Sequence, residues 1–487
     1  MHLSNQYAPP VGIDERCTHT LDVPFAPPAG TDALVDNLLQ TRFEDLSEDN
    51  VRIFKDRLLD MTGCLFGGTI VPEDAFLETM LKRWGGAEEA PLFARSGRLP
   101  LPAAAMLNAI TARANDFGSM FFRVFGERMP SHCGETLIPL NLTLADVIPV
   151  SGRDFIARNV AAEDMTGRIL YTLPVRWPTD MLLVSGAAAA LAAPYYGLDA
   201  AQTKSALTYA ACNATDPANS YYDYSQEFKY HNGESARMGV MACELARGGW
   251  TGWRDPFFGH WGLVTRQIKD GGLLPANYEK AFSRLGEVYF TEESFKQGPG
   301  GIPTSSAARC GAKVREKIIA ACGSFDASQI KRVRVLKSNL VPVNYYSNPF
   351  TRRNQINALF CFQFVACCAL LHGETRADLV QTPAIRADKR LTELAEESTM
   401  EVFESGTKQM RVIVEMHDGR GFEHTEDFEG SKHAYPSREF LEKKFWDQYN
   451  AWGKGSRAAG EKIIELAGKI ETLDDMREYT SLLTLTE

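Results

Sequence analysis

No run of basic residues occurs in this 487-residue chain, and its formal net charge is −10. A nucleic-acid binder shows a basic patch or stripe, so that class is set aside. An anionic ligand would need a local positive pocket, set against a repelling global field. Among ten cysteines there is no CxxC spacing, and no Cys/His cluster has zinc-like spacing. They read as reduced, mostly buried cysteines of a cytosolic protein, and Cys361, Cys367 and Cys368 share one apolar segment. The opening MHLSNQYAPP lacks the basic stretch and apolar core of a signal peptide. The longest apolar run, residues 182–193, is too short to span a bilayer and reads as a buried helix. The expectation is a cytoplasmic protein with no membrane and no nucleic acid among its partners. Catalytic signatures are missing too: there is no GxSxG elbow, P-loop, HExxH, EF-hand loop or GxGxxG. Internal repeats and low-complexity tracts are also absent.

What is present fits a globular chain of two domains, or one domain with an insertion. Residues 1–30 carry five prolines and little periodicity, so an irregular arm is expected. Val51, Phe54, Leu58, Met61 and Leu65 recur at three- and four-residue steps, the stripe of a core-facing helix. Helices are also expected over 101–116, 182–196, 201–212 and 231–248. Gly197-Leu198-Asp199 acts as a stop and a new start. The character changes near residue 290. QGPGGIP at 297–303 is a loop, and KRVRVLK at 331–337 alternates as a half-buried strand does. Residues 410–416 and 421–428 read as strands joined by the turn Asp418-Gly419. Residues 357–372 and 391–403 between them read as helices, and 437–448 and 458–470 return to amphipathic helix. The reading is a mainly α fold with an inserted α+β domain. Helical parts fall at 31–291 and 428–487, and the insertion at 292–427.

The most informative stretch is EFKYHNGESARMG at 227–239. Lys229 and His231 stand in a polar turn that runs into a helix beginning near Gly233. A cation gains little at a helix N-terminus, whereas a carboxylate is favoured there. The pair therefore points to a pocket for a small acid, against the plain alternative of a solvated turn. Other polar residues have two readings each. Asp116 in ARANDF is a helix-terminal polar residue or a carboxylate that orients a base. His132 in PSHCGETLIP belongs to a helix cap, with Ser131, or to catalysis. Lys296 opens the glycine-rich loop as an exposed lysine or a ligand group. Tyr345 and Tyr346 precede Arg352 and Arg353 and are core aromatics or, with a lowered phenol pKa, an acid.

Read together, these segments resemble the MmgE/PrpD family, which includes 2-methylcitrate dehydratases, cis-aconitate decarboxylases and iminodisuccinate epimerases. LLDMTGCLFGG at 58–68, AAAMLNAITARANDF at 103–117, SHCGETLIPLNL at 131–142 and KYHNGESARMG carry the likeness. SFKQGPGGIPTSSAARCGAKV at 294–314 and FQFVACCALLHG at 362–373 complete it, and it runs from about residue 32 to 475. The resemblance implies an all-helical domain built from both chain ends and an α+β lid. It also implies a homodimer, no metal or other cofactor, and a cleft for a di- or tricarboxylic acid. The implied chemistry is proton abstraction next to a carboxylate.

Asp116 falls on the first aspartate of the family's DFDDT, His132 on the following histidine, and Lys296 on the lysine of "FK.FPAH". Tyr346 or Tyr345 falls on the lid tyrosine, Lys229 lies near the family lysine, and His231 matches the histidine of the related helix start. The departures are large. The rest of DFDDT is Gly118, Ser119 and Met120, and a longer loop, 121–130, precedes His132. The lid histidine falls on Gly301, and a second family histidine falls near Asp180. The resemblance therefore implies a lyase acting on a citrate- or aconitate-like polycarboxylate, most simply a dehydratase. In it Asp116, His132, Lys229, His231 and Tyr346 are catalytic, and Lys296, Tyr345, Gly301 and Arg352 meet the substrate. The alternatives are an epimerase or isomerase of a dicarboxylate, and a silent relative that only binds the acid.

Overall fold

Ser47 opens the helix α1 (Glu48–Gly68): its Oγ accepts from Asn50 N at 3.1 Å, and the Asn50 side chain accepts from Ser47 N in return. Such reciprocal caps contribute about 0.5–2 kcal/mol each. The computed structural model describes residues 30–173, 179–214, 220–259, 262–267, 277–341, 345–428 and 435–485. The expected N-terminal arm lies outside them apart from Gly30, which starts a helix. The expected stripe of α1 is buried at Phe54, Leu58, Met61 and Leu65, and Val51 packs at its edge.

The chain is mainly helical with small sheets. α2 (Leu101–Arg113), α3 (Gly134–Val147), α4 (Gly152–Thr172), α5 (Val184–Ala192), α6 (Ala200–Cys212) and α7 (Glu227–Arg247) follow α1. They form one hydrophobic core with α11 (Arg438–Trp452) and α12 (Arg457–Gly468). Asp199 caps α6 as expected, whereas the helix expected to run to residue 196 ends at Ala192, and Gly197 adopts a positive φ in the turn that follows. A second core gathers residues between 307 and 428 and takes in Tyr224 and Phe228. Its helices are α8 (Thr304–Cys322), α9 (Phe362–His372) and α10 (Lys389–Glu397).

Those helices cover a four-stranded sheet of β4 (Ile330–Ser338), β5 (Thr399–Phe403), β6 (Gln409–Met416) and β7 (Gly421–Asp427), in spatial order β5-β4-β6-β7. β6 alternates between buried and half-buried residues, with Met410, Val412, Val414 and Met416 facing the helices. The expected helix 391–403 is corrected: helix α10 ends at Glu397 and Thr399 begins a strand. β5 runs parallel to β4, and the Arg334 fork grips Glu401 through Nε–Oε1 at 3.0 Å and Nη2–Oε2 at 2.6 Å. Helix 357–372 is likewise two pieces, Gln355–Leu359 and α9, broken where Cys361 is extended.

A three-stranded sheet matters most for the site. β1 (Met120–Val124) and β2 (Glu127–Met129) form a hairpin where a loop was expected. Phe125 and Gly126 both have positive φ, the conformation of a tight two-residue hairpin turn. β3 (Glu292–Ser294) pairs with β1, Met120 opposite Ser294 and Phe122 opposite Glu292. This pairing brings two segments some 170 residues apart to one place.

Candidate active site

The hairpin sets the site. Asp116 lies four residues before β1 and Lys296 two residues after β3. The β1–β3 ladder therefore brings them together. Lys296 Nζ donates to the Asp116 carbonyl at 2.9 Å and also to its carboxylate. The glycine-rich loop is tied to the same backbone, with Gly300 N donating to the carbonyls of Asn115 and Asp116. α2 ends at Arg113, and Asp116 follows with φ +46°, a left-handed conformation that aspartate tolerates better than most residues. This turn folds its carboxylate back onto the Arg113 guanidinium. Asp116 and Lys296 are both buried, not on the solvated surface that is the default for such residues.

His132 and Glu135 come from the start of α3. The side-chain donor atoms of Asp116, His132 and Glu135 all lie within 4.8 Å of one another. Glu135 receives Arg113 on one oxygen and Gly118 N, at 3.1 Å, on the other. Burial, with the charges of Arg113, Lys296 and His231 nearby, holds the His132 imidazole well below the usual histidine range. It is therefore neutral near pH 7, the form that accepts a proton. Burial also pushes the Glu135 carboxyl up to about 7, against the pull of Arg113 and Lys296.

The α3 start is held by a second buried network. Glu292 accepts from Cys133 N at 2.9 Å, Gly134 N at 3.2 Å and Ser131 Oγ at 2.6 Å. A carboxylate at a helix N-terminus is favoured by the dipole and by the unpaired N–H groups. Arg57 joins Glu292 to Glu163, and all three side chains are fully buried. The cap expected of Ser131 or His132 is thus supplied mainly by Glu292, with Ser131 Oγ accepting from Cys133 N at 3.2 Å.

Lys229 and His231 are corrected in one respect: they lie inside α7, which begins at Glu227. His231 is buried and its charge acts on His132. Lys229 Nζ pairs with Asp74 Oδ1 at 2.6 Å, both nearly buried. Tyr346 is buried between the rings of Phe360 and Phe362, at 5.9 and 5.7 Å. Phe360 meets Phe228, whose ring lies 5.3 Å from the Arg113 guanidinium, so an aromatic chain links Tyr346 to the cluster. Arg352 is not brought to the cluster. It is exposed, and its guanidinium donates to the Asp223 carbonyl and faces Tyr224 at 5.7 Å. The side chains of Tyr345 and Asp180 lie outside the described residues.

Among His, Cys, Asp and Glu, the Asp116–His132–Glu135 group is the one with metal-ligand spacing among the described residues. Both of its carboxylates are already bonded to Arg113 or Lys296, so a divalent cation would have to share them with two positive groups. The donor set suits proton transfer and anion stabilisation better.

The chain matches the MmgE/PrpD N-terminal domain over residues 32–272 and the MmgE/PrpD C-terminal domain over 299–470. It belongs to the MmgE/PrpD family. Over 466 residues it is 25% identical to a human cis-aconitate decarboxylase, covering 90% of this chain and 91% of that protein. No helix among the described residues of this family member is long and apolar enough to cross a membrane.

Arg113, Glu135, Asp74 and Glu292 escaped the sequence reading. The signal for the first two was there: a charge inside an alanine-rich helix, and a glutamate opening an otherwise apolar one. Gly301 has a definite steric role. A Cβ built there would collide with the Tyr346 hydroxyl. Gly301→His should therefore push the tyrosine out and destabilise the protein by about 1–3 kcal/mol. Tyr346→Ala in the same chain should recover part of that loss in a denaturant double-mutant cycle. Strictly additive losses would show that the two positions do not meet.

Proposed function

We propose that the protein is a cofactor-free lyase that removes a proton next to a carboxylate of a small di- or tricarboxylic acid. The observation that carries this reading is the buried convergence of His132 with Asp116, Lys296 and Arg113. Neutral His132 takes the proton, and Asp116 fixes the arrangement around it. The enolate-like charge that develops is stabilised by Lys296 and Arg113 in a site shielded from water. Lys229 and Lys296 hold carboxylates, and Tyr346 protonates the leaving hydroxyl when water is lost. His231, beside His132, is the second group able to carry a proton.

Dehydration is the simplest outcome on this reading. Similarity to the human cis-aconitate decarboxylase favours loss of carbon dioxide as the second. We assign the working unit as a cytoplasmic homodimer, with residues 31–291 and 428–487 forming the helical domain and 292–427 the lid. Proton NMR in deuterated water tests the chemistry, with citrate, 2-methylcitrate, cis-aconitate and alkyl or amino dicarboxylates as the panel. Deuterium exchange with loss of water or carbon dioxide is expected for one member. Exchange or inversion without elimination would replace the lyase by an epimerase. Binding without exchange would leave only a silent relative.

A further inference from the structure

We infer that an acid binds here only with Glu135 protonated, so that from neutral pH upward the anion enters together with a proton. The inference rests on the reading of the buried cluster as the acid-binding site. Its basis is charge balance. Arg113 and Lys296 supply two positive charges, Asp116 and Glu135 two negative ones, and all four side chains are buried. The next cation along the expected site, Lys229, is tied to Asp74. No net positive charge remains in the cluster for a di- or trianion, and burying such an ion unpaired is costly. Protonating one carboxylate is the cheapest relief, because it releases a cation already in place.

Glu135 is the carboxylate placed for this. Asp116 is held by both Arg113 and Lys296, whereas Glu135 has Arg113 and one backbone amide. The groups around Glu135 come from six elements; α11 contributes Lys444, which is balanced by Asp60 at 2.6 Å and donates to the Phe117 carbonyl beside the Gly118 amide. The end of α2 contributes Arg113 and Asp116. β3 and the loop after it contribute Glu292 and Lys296, whose charges act on Glu135 with those two. α1 presents Cys64, which feels the Glu135 charge, and carries Arg57 and Asp60 beside the cluster. α7 contributes His231, and His132 precedes α3 itself. In this setting the carboxyl already titrates at about 7, so an arriving anion needs to raise it little. The balance is simple. One solvent proton adds to a Glu135 oxygen, the Arg113–Glu135 ion pair opens, and the guanidinium, still paired with Asp116, takes a carboxylate of the ligand in place of Glu135. The proton then sits beside His132.

Calorimetric titration of the full protein with cis-aconitate, in two buffers of different ionisation enthalpy, reads the proton count directly. At pH 8, where the free acid is fully ionised, uptake should approach one proton per anion bound. It should fall towards zero by pH 5.5, and affinity should drop up to about tenfold per pH unit above neutrality. Glu135→Gln should abolish the uptake and flatten the affinity between pH 6 and 8. Wild-type binding with no uptake would overturn the inference, as would uptake that persists in the variant. If the variant does not fold, the wild-type series still decides: a midpoint below 6.5 would place the proton on a histidine instead. Deuterium exchange on a bound acid without uptake would remove this inference alone. Failure of every panel acid to bind would remove the proposed function and the inference with it.

Discussion

His132→Ala should lower turnover by about 10²–10⁴-fold, the usual contribution of a positioned acid–base group, in a protein that still folds. Folding should survive because the backbone at this position is anchored independently of the ring. Asn232 Nδ2 donates to the His132 carbonyl at 3.1 Å, and the next two amides are held by Glu292. Steady-state rates on the acid identified by deuterium exchange, with circular dichroism as the control for fold, check this. A silent binder would have no turnover to lose.

The pH profile sharpens the same prediction. The ring must be neutral to accept a proton, and burial with Arg113, Lys296 and His231 lowers its pKa. With the acid saturating, kcat should therefore hold through neutrality, and its acid limb should lie below the ordinary histidine value of about 6.5. An acid limb above that value would exclude His132 as the base. A rise in KM alone for His132→Ala, with kcat unchanged, would make His132 a binding residue and not a base.

Much of the fold was legible because local pattern and tertiary context agree. α1 shows its core stripe, and β6 alternates between buried and half-buried residues as a half-buried strand does. β5 was hidden because Thr399–Phe403 follows α10 after a single residue, and only the distant partner β4 makes it a strand. β1, β2 and β3 are three to five residues long, and β1 pairs with β3 across some 170 residues of chain. No window of sequence contains that pairing. The start of α7 was misplaced because Asn232-Gly233 looks like a turn. Gly233 is there for close packing, since a Cβ would run into Ile110 and the Met106 carbonyl of α2.

The site was legible as a set of residue types, and only in part as an arrangement. Asp116, His132 and Lys296 were singled out from three separate segments, and the structure brings them together. Their burial could not be read, because a lone lysine or aspartate is by default exposed. It depends on partners far away in the chain: Lys296 on Asp116, and Lys229 on Asp74. Arg352 is the converse case. Its place after two tyrosines suggested a pocket, yet the chain turns it to the surface.

Arg57→Met should cost about 3–5 kcal/mol of stability near pH 7, the penalty for leaving buried charges without their partner. The guanidinium bonds Glu163, Glu292 and Ser119, and it has no exposed surface. Removing it strands two carboxylates in the interior, and one of them secures both β3 and the start of α3. The loss should be largest at neutral pH. Burial already raises the Glu163 carboxyl above its ordinary range, and without Arg57 it rises further. A carboxyl raised in the folded state binds more protons there than in the unfolded chain, so its stability penalty shrinks as the pH falls towards the unfolded value of about 4.3. Guanidinium unfolding at pH 7 and at pH 5 should therefore show a smaller deficit for the variant at the lower pH. Arg52→Ala removes an exposed ion pair with Asp49 and should cost about 1 kcal/mol or less at either pH. Equal losses for the two variants would mean that the Arg57 network does not hold the α3 start and β3 in register.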